Sequence, residues 1–405
     1  MLSRGCPVTP IYMDHHATTP VAPEVVQAML PYFTMEFGNP ASSTHSFGQR
    51  AAQDVERARE VVAGILGARA REVLFTSGAT ESNNLALRGV AEEALERRGS
   101  AHLVTCAIEH KSILDTVEDL QRRGVAVTIL PTDEHGFVAP EAVKQALRSD
   151  TCLVSIQMAN SEIGTVQAVA TIGKLCGEAH VPLHTDAVQA LGRIPVDVQR
   201  LGVRLLSLSA HKVYGPKGVG ALYCHRRVRL REQMTGGRQE RGRRSGTLNV
   251  PGIIGLASAL QRAAADREPE MIRQAALRDA LWVGIRERIP DVMRNGASDG
   301  LPNNLNVSFR HVEGEALLMA VKKFALSSGS ACTSDQPQGS YVIRALGRSR
   351  EDAHSSIRFG LGCGNTLQHV EQLVEDLAAA VKRLRALAPV EPPLPATAAP
   401  APVRR

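Results

Sequence analysis

"LLSLSAHKVYGPKGVG", residues 205–220, places a lysine where a buried strand ought to stop. Leu205, Leu206 and Leu208 read as a short apolar strand that runs through Ser209 into Ala210, His211 and Lys212, and a glycine-rich turn follows at once. An amine in that place is either solvated at a rim or held there for chemistry. Ligands of open α/β sheets bind outside the carboxyl ends of the strands, so the neighbouring strand ends decide between the two.

The texture around this stretch alternates. "EVLFT" (72–76) precedes a helical stretch from Glu81 to Arg97, and "HLVTCAI" (102–108) precedes "SILDTVEDLQRRG" and then "VAVTIL" (125–130). "TCLVSIQMA" (151–159) is followed by "TIGKLCGEAH", "VPLHTDA" and "VRLLSLS". Apolar strands separated by amphipathic helices predict an α/β fold with a mostly parallel sheet covered on both faces. From about residue 260 the pattern changes to long helical stretches, a strand-like "NNLNVSFR", the segment ending "SIRFGLG" and a last helix "HVEQLVEDLAAAVKRLRAL". That change predicts a second, smaller α+β domain. The expected division is 15–258 for the large domain, 1–14 with 259–388 for the small one, and 389–405, "PVEPPLPATAAPAPVRR", as a disordered proline-rich tail.

Composition bounds the function. The chain has 405 residues, 43% hydrophobic and 22% charged, as expected of a globular protein with a sizeable core. No apolar run approaches the ~18–20 residues of a membrane span, and "MLSRGCPVTPIYMD" has no apolar signal core; the reading is cytoplasmic, with no membrane partner. Seven cysteines (6, 106, 152, 176, 224, 332 and 363) stand singly without a C-x-x-C, which argues for free thiols in a reducing compartment. A net charge of +6 raises nucleic acid as a partner. The basic clusters "HRRVRLR" (225–231) and "RQERGRRSG" (238–246) have no interleaved aromatics, and the chain is only 3% aromatic, so stacking platforms are lacking and no direct nucleic-acid binding is expected.

Three features meet at the strand ends. "EVLFT" runs into "SGATES" (77–82), where small residues and a helix N-terminus form an anion cup; an ordinary N-cap is the alternative. "VPLHTDAVQ" carries Asp186 to the same edge, with Gln189 three residues on. A structural Asp186–Lys212 ion pair is the alternative there. Pyridoxal phosphate needs all three parts: a lysine for a covalent link, a carboxylate facing the pyridine nitrogen, and an anion cup. A reactive thiol is also at hand, because "FALSSGSACTSD" (324–335) sets Cys332 in a small polar loop rather than inside an element.

The motifs "YMDHHATTP", "FGNPASSTH", "FTSGATESNN", "IEHKSIL", "NSEIGTVQ", "HTDAVQALG", "SLSAHKVYGPKGVGALY", "RRSGTLN", "SSGSACTS" and "AHSSIRFGLG" resemble, in order from about residue 11 to 388, those of cysteine desulfurases of the IscS/NifS type. These are class V members of the aspartate-aminotransferase fold, pyridoxal-phosphate fold type I. The resemblance implies Lys212 as the covalent anchor, Asp186 as the pyridinium partner, Gln189 on the ring's phenolic oxygen, and His110 stacked on the ring and assisting proton transfer. It implies Ala79, Thr80, Ser209 and His211 around the phosphate. Thr247 would reach the other subunit's cofactor, which makes the enzyme a homodimer. Asn39 and Arg358 would hold the substrate carboxylate. Cys332 would attack the sulfur of L-cysteine, keep it as a persulfide, release L-alanine and pass the sulfur to an iron–sulfur scaffold protein, with tRNA thiolation a second destination. The resemblance implies no metal centre, with Cys332 a further candidate ligand of a transferred iron–sulfur cluster.

Two departures stand out. Ser161 holds a place where the family usually has asparagine, and the proline-rich tail replaces the usual C-terminal docking extension. A selenocysteine lyase would share almost every motif, and another class V aminotransferase would share Lys212 and Asp186 without needing Cys332. A metal-binding protein would rest on His180, His184 and the tandem His15–His16, but Pro182 breaks the helix that would align the first pair.

Overall fold

A computed structural model of the chain describes residues 10–328 and 339–387. Its main sheet has seven strands: β1 (Val73–Thr76), β2 (His102–Cys106), β3 (Ala126–Leu130), β4 (Thr151–Ser155), β5 (Leu183–Asp186), β6 (Leu205–Ser209) and β7 (Gly220–Cys224). The order across the sheet is β1-β7-β6-β5-β4-β2-β3. From β6 to β3 every pair is parallel, whereas β7 runs antiparallel to both β6 and β1. The mostly parallel α/β fold expected from the sequence is therefore present, with one reversed strand. Alternation along the strands splits the core in two: Val73, Phe75, Leu206 and Leu208 pack on one face, and Leu74, Leu205 and Leu222 on the other. Helices α1 (Ser46–Leu66), α2 (Ala79–Arg98), α3 (Lys111–Arg122) and α4 (Val250–Ala265) cover them, α1 and α4 against the first face, α2 and α3 against the second.

The sequence reading that carries the strand on to Lys212 is corrected. The strand stops at Ser209, and Ala210–Lys212 form a single 3₁₀ turn. The reason is the reversal that follows. Pairing of β6 with β7 ends at Ser209 opposite Gly220, so the chain must turn back within ten residues. It curls at once, with Val213 N–H and Gly215 N–H both donating to the Ala210 carbonyl at 3.0 Å.

Strand β1 lies at the end of the sheet, where a bare edge would invite foreign pairing. Here the outer edge is covered by an ion pair: Arg59 Nη1 donates to the Val73 carbonyl (2.9 Å), and Phe75 N–H donates to Glu240 Oε2 (2.9 Å). Arg59 and Glu240 bond each other bidentately at 2.7 and 2.8 Å. Around this carboxylate the backbone takes positive φ at Arg238, Glu240 and Arg241, a costly run for non-glycine residues that the buried pair holds in place.

A second core gathers Met13, Leu281, Phe309, Phe359 and Leu373. It sits on an antiparallel sheet of β8 (Val292–Asn295), β9 (Asn304–Phe309) and β10 (Ser356–Gly360), between α5 (Arg267–Arg288) and α6 (Leu367–Leu387). Residue 259 falls inside α4, whose Leu256, Ala259 and Leu260 belong to the large core; α5 begins the small one. The expected tail, 389–405, lies outside the described residues. No helix among the described residues is long and apolar enough to cross a membrane.

Candidate functional site

A cleft of about 560 Å³ opens at the carboxyl ends of β1, β5 and β6, and Arg358 of β10 reaches it from the small sheet. Lys212, Asp186, Gln189, His110, Ala79, Thr80, Ser209, His211, Ser161 and Arg358, all singled out from sequence, line it together.

Lys212 stands on the 3₁₀ turn after β6, and its Nζ donates to the carbonyls of His16 and Ala17, both at 2.6 Å. Asp186 accepts from Val188 N–H at 3.0 Å and from Asn83 Nδ2 at 2.8 Å. Asn83, fully buried on the first turns of α2, also donates to Ser112 Oγ at 2.9 Å. Ser112 sits against His110 Nδ1, through its hydroxyl at 2.8 Å and its backbone N–H at 3.1 Å. Because the backbone N–H must donate, Nδ1 is the acceptor and the neutral ring carries its proton on Nε2. Burial pushes the His110 pKa down, with Asp186 opposing and the Lys212 charge adding to the fall, so the ring is neutral near pH 7.

Gln189 and His16 clamp each other: His16 Nδ1 donates to Gln189 Oε1 at 2.8 Å, and Gln189 Nε2 donates to the His16 carbonyl at 3.1 Å. The His16 carbonyl thus serves Lys212 and Gln189 at once. Burial pushes the His16 pKa down to about 3, so this clamp is uncharged. The tandem histidines that suggested metal have other work, since His15 Nδ1 bonds the Gly360 carbonyl at 3.0 Å. His184 is buried between Ser155 and Ser207, while His180 is exposed.

The anion cup is shaped by close backbone approach. A Cβ on Gly220 would stand 2.8 Å from Gly78 Cα, so only glycine lets β7 pass beneath the cup. Beside it, Glu81 accepts from Ser77 N–H at 2.7 Å and pairs with Arg244 at 2.7 Å. Arg358, 3% exposed, is oriented by Asp14 (Nη2 to Oδ1, 2.6 Å) and by the Ser161 carbonyl (Nη1, 3.3 Å). Deeper still, Glu109 accepts from Gln157 N–H at 2.6 Å and from the Cys106 thiol at 3.3 Å, and burial pushes its pKa up to about 8.

Three expected site residues are not gathered here. Asn39 lines a separate groove of about 380 Å³ with Arg238 and Gln239, and its Oδ1 accepts from Ala41 N–H at 3.0 Å. Thr247 does not line the Lys212 cleft. Cys332 lies outside the described residues; Tyr341, shortly after that segment, does line the cleft and donates its hydroxyl to the Glu109 carbonyl at 2.6 Å. Sequence reasoning missed Asn83, Asp14, His16 and Glu109 as site residues. Asn83 had a signal, since it stands four residues after Ala79 and so on the same helix face.

A cleft with a strand-end lysine, an anion cup and an oriented carboxylate defines a cofactor enzyme of the aminotransferase kind. Residues 11–373 match the family described as aminotransferase class-V, and the chain belongs to that family. It is similar to the cysteine desulfurase IscS of Anaeromyxobacter dehalogenans, 53% identical over 384 residues that cover 94% of this chain and 95% of the relative. Among solved structures it is similar to a NifS-like protein (TM-score 0.87, 35% identity, covering 93% of this chain and 100% of the other). Another is SspA in complex with cysteine (TM-score 0.78, 36% identity, covering 87% and 98%).

Proposed function

We propose that the chain is a pyridoxal-phosphate-dependent cysteine desulfurase. It converts L-cysteine and the Cys332 thiol into L-alanine and a Cys332 persulfide, for delivery to an iron–sulfur scaffold protein. The observation that carries this reading is the near full-length identity to a cysteine desulfurase IscS, combined with the single cleft that gathers Lys212, Asp186 and the cup.

The donor set suits the cofactor. Ala79, Thr80, Ser209 and His211 would hold its phosphate, Asp186 its pyridine nitrogen and Gln189 its phenolic oxygen, with Lys212 as covalent anchor. When bound, the cofactor supplies an electron sink for the substrate's alpha carbon. The chain's own residues do the rest. Asn83 and the Val188 N–H hold Asp186 by one carboxylate oxygen each, and His110 presents Nε2–H to the cleft. Arg358, aimed by Asp14, binds the substrate carboxylate. Cys332 takes the sulfur: the cysteine C–S bond breaks, an S–S bond forms, and the thiol proton balances the C–H gained by alanine.

A second copy of the chain completes the reading. Phe33, Met35 and Phe37 are 59%, 65% and 64% exposed, close in sequence to Asn39, and a homodimer would cover them. Thr247 and Asn39, which the single chain leaves outside the cleft, would then serve the partner's site.

Cysteine treatment followed by mass spectrometry tests the function. One extra sulfur atom on Cys332 and stoichiometric alanine are expected, with both lost in Cys332→Ser while cofactor binding persists. Lys212→Ala should lose the borohydride-reducible link to the cofactor. Normal sulfide release by Cys332→Ser would refute the reading.

A further inference from the structure

A second cavity of about 230 Å³ lies where the end of α4, the start of α5 and the turn at Gly192–Arg193 meet, and it shares no lining residue with the Lys212 cleft. Arg193 lines it and is 7% exposed. Its hydrogen bond runs from Nη2 to the Lys212 carbonyl at 3.0 Å, and its guanidinium carbon stands 5.8 Å from the Tyr214 ring centre. No carboxylate lies within 4.0 Å of it among the described residues. A buried charge is costly unless paired. Burial does push the Arg193 pKa down, as an uncompensated cation requires.

The nearby acids are already engaged. Glu270 is bonded by Arg273 at 2.8 Å and Gln274 at 2.6 Å, and Asp266 stands 3.9 Å from Arg262, which itself reaches Glu24 at 2.5 Å. What the cavity offers is therefore the buried Arg193 guanidinium, two further arginines on its wall (Arg262, paired with Glu24, and Arg267), the Tyr214 ring, and apolar walls from Ala263, Met271 and Pro302. We propose that this cavity binds a small monocarboxylate with a short apolar body, its carboxylate on Arg193. The volume is below the usual range for drug-sized ligands, which limits the occupant to a few heavy atoms. A planar carboxylate matches the guanidinium fork, while a dianion would be repelled more strongly by the lining carboxylates Asp266 and Glu270. Through Arg193 the occupant lies one hydrogen bond from the backbone of Lys212.

Cys363, an exposed free thiol that lines the same cavity, is a built-in reporter. Its backbone N–H donates to the Tyr214 hydroxyl at 2.9 Å. The experiment alkylates the holoenzyme with iodoacetate or with neutral iodoacetamide and reads Cys363 by peptide mass spectrometry, with and without propionate. The Cys363 thiolate displaces iodide in both reactions, so the reagents differ only in charge. The iodoacetate-to-iodoacetamide rate ratio at Cys363 should fall about tenfold in Arg193→Gln. Propionate should slow labelling of the native protein by iodoacetate, and should fail to do so in Arg193→Gln. Ala263→Phe, which fills the cavity and leaves Arg193 in place, should also lose the propionate effect, and it serves if Arg193→Gln does not fold. Equal ratios in native and variant protein would overturn the proposal. So would protection by potassium chloride matching that by propionate at the same ionic strength.

Discussion

Replacing Asn83 with leucine removes a side chain that touches neither proposed substrate nor sulfur, yet the geometry makes it costly for turnover. Asn83 Nδ2 donates to Asp186 Oδ2 at 2.8 Å and to Ser112 Oγ at 2.9 Å, from a fully buried position. Leucine has the same heavy-atom branching with bulkier methyl groups, so the shape is roughly kept while both donors vanish. A hydrogen bond to a charged group contributes about 1.5–3 kcal/mol, and the bond to Ser112 is neutral and weaker. If the Asp186 carboxylate matters only through its charge opposite the cofactor, that loss appears as roughly 10- to 150-fold in kcat/KM. Alanine formation from cysteine, measured beside cofactor dissociation for native and variant enzyme, reads both effects. Asn83→Ser, which restores a short donor, should recover part of the rate. A loss below about threefold in the leucine variant, with cofactor affinity unchanged, would show that Asp186 is oriented by Val188 N–H alone and would refute the reasoning.

Asp14→Asn removes the Asp14 charge that pairs with the 3%-exposed Arg358 and should lower stability by about 3 kcal/mol; chemical denaturation checks it, and a loss under about 1 kcal/mol would mean that the pair is dispensable. Ser161→Asn should be tolerated with cofactor affinity unchanged or slightly improved, because the Ser161 contact to Arg358 is made by the backbone carbonyl; markedly weaker cofactor binding would show a pocket repacked around serine. Glu109→Gln tests pH dependence. The folded pKa of Glu109 is raised to about 8 from 4.5, so the native state keeps a proton that the unfolded chain releases, and stability contributed by this group is present below about pH 4.5 and lost as pH rises toward 8. The glutamine variant should therefore show a flatter fall in unfolding free energy between pH 5 and 8, and an unchanged slope would place the titration elsewhere.

What the sequence made legible was chiefly local. A strand end followed by a small-residue turn or a helix start fixes where Lys212, Asp186 and the cup must lie, because the parallel sheet puts all such ends on one edge. The direction of β7 was not legible, since a period of two is the same read forwards or backwards; "GVGALY" looked like the tail of a motif until its pairing with β1 and β6 was seen. Asn83 carried only its spacing from Ala79 as a signal, because its role depends on how α2 is rotated over the sheet. Asp14 was hidden because its partner Arg358 lies 344 residues away in sequence. Asn39 and Thr247 came from resemblance alone, and nothing within one chain draws either of them to the cleft.

The covered edge of β1 also sets a timetable. As the chain is made, "VLFT" emerges early, but its sheet neighbour β7 follows only after about 140 more residues, and Glu240, which covers the outer edge, later still. At roughly 5–20 residues per second that is a wait of about 7–30 s. Throughout it, an apolar strand containing Phe75 has both edges open, so a ribosome stalled before Gly220 displays a segment ready to pair with another nascent chain. The cup that follows β1 is likewise incomplete until the glycine strand slides beneath Gly78. Cofactor capture therefore belongs to the second half of synthesis, after Lys212 and β7 have both left the ribosome.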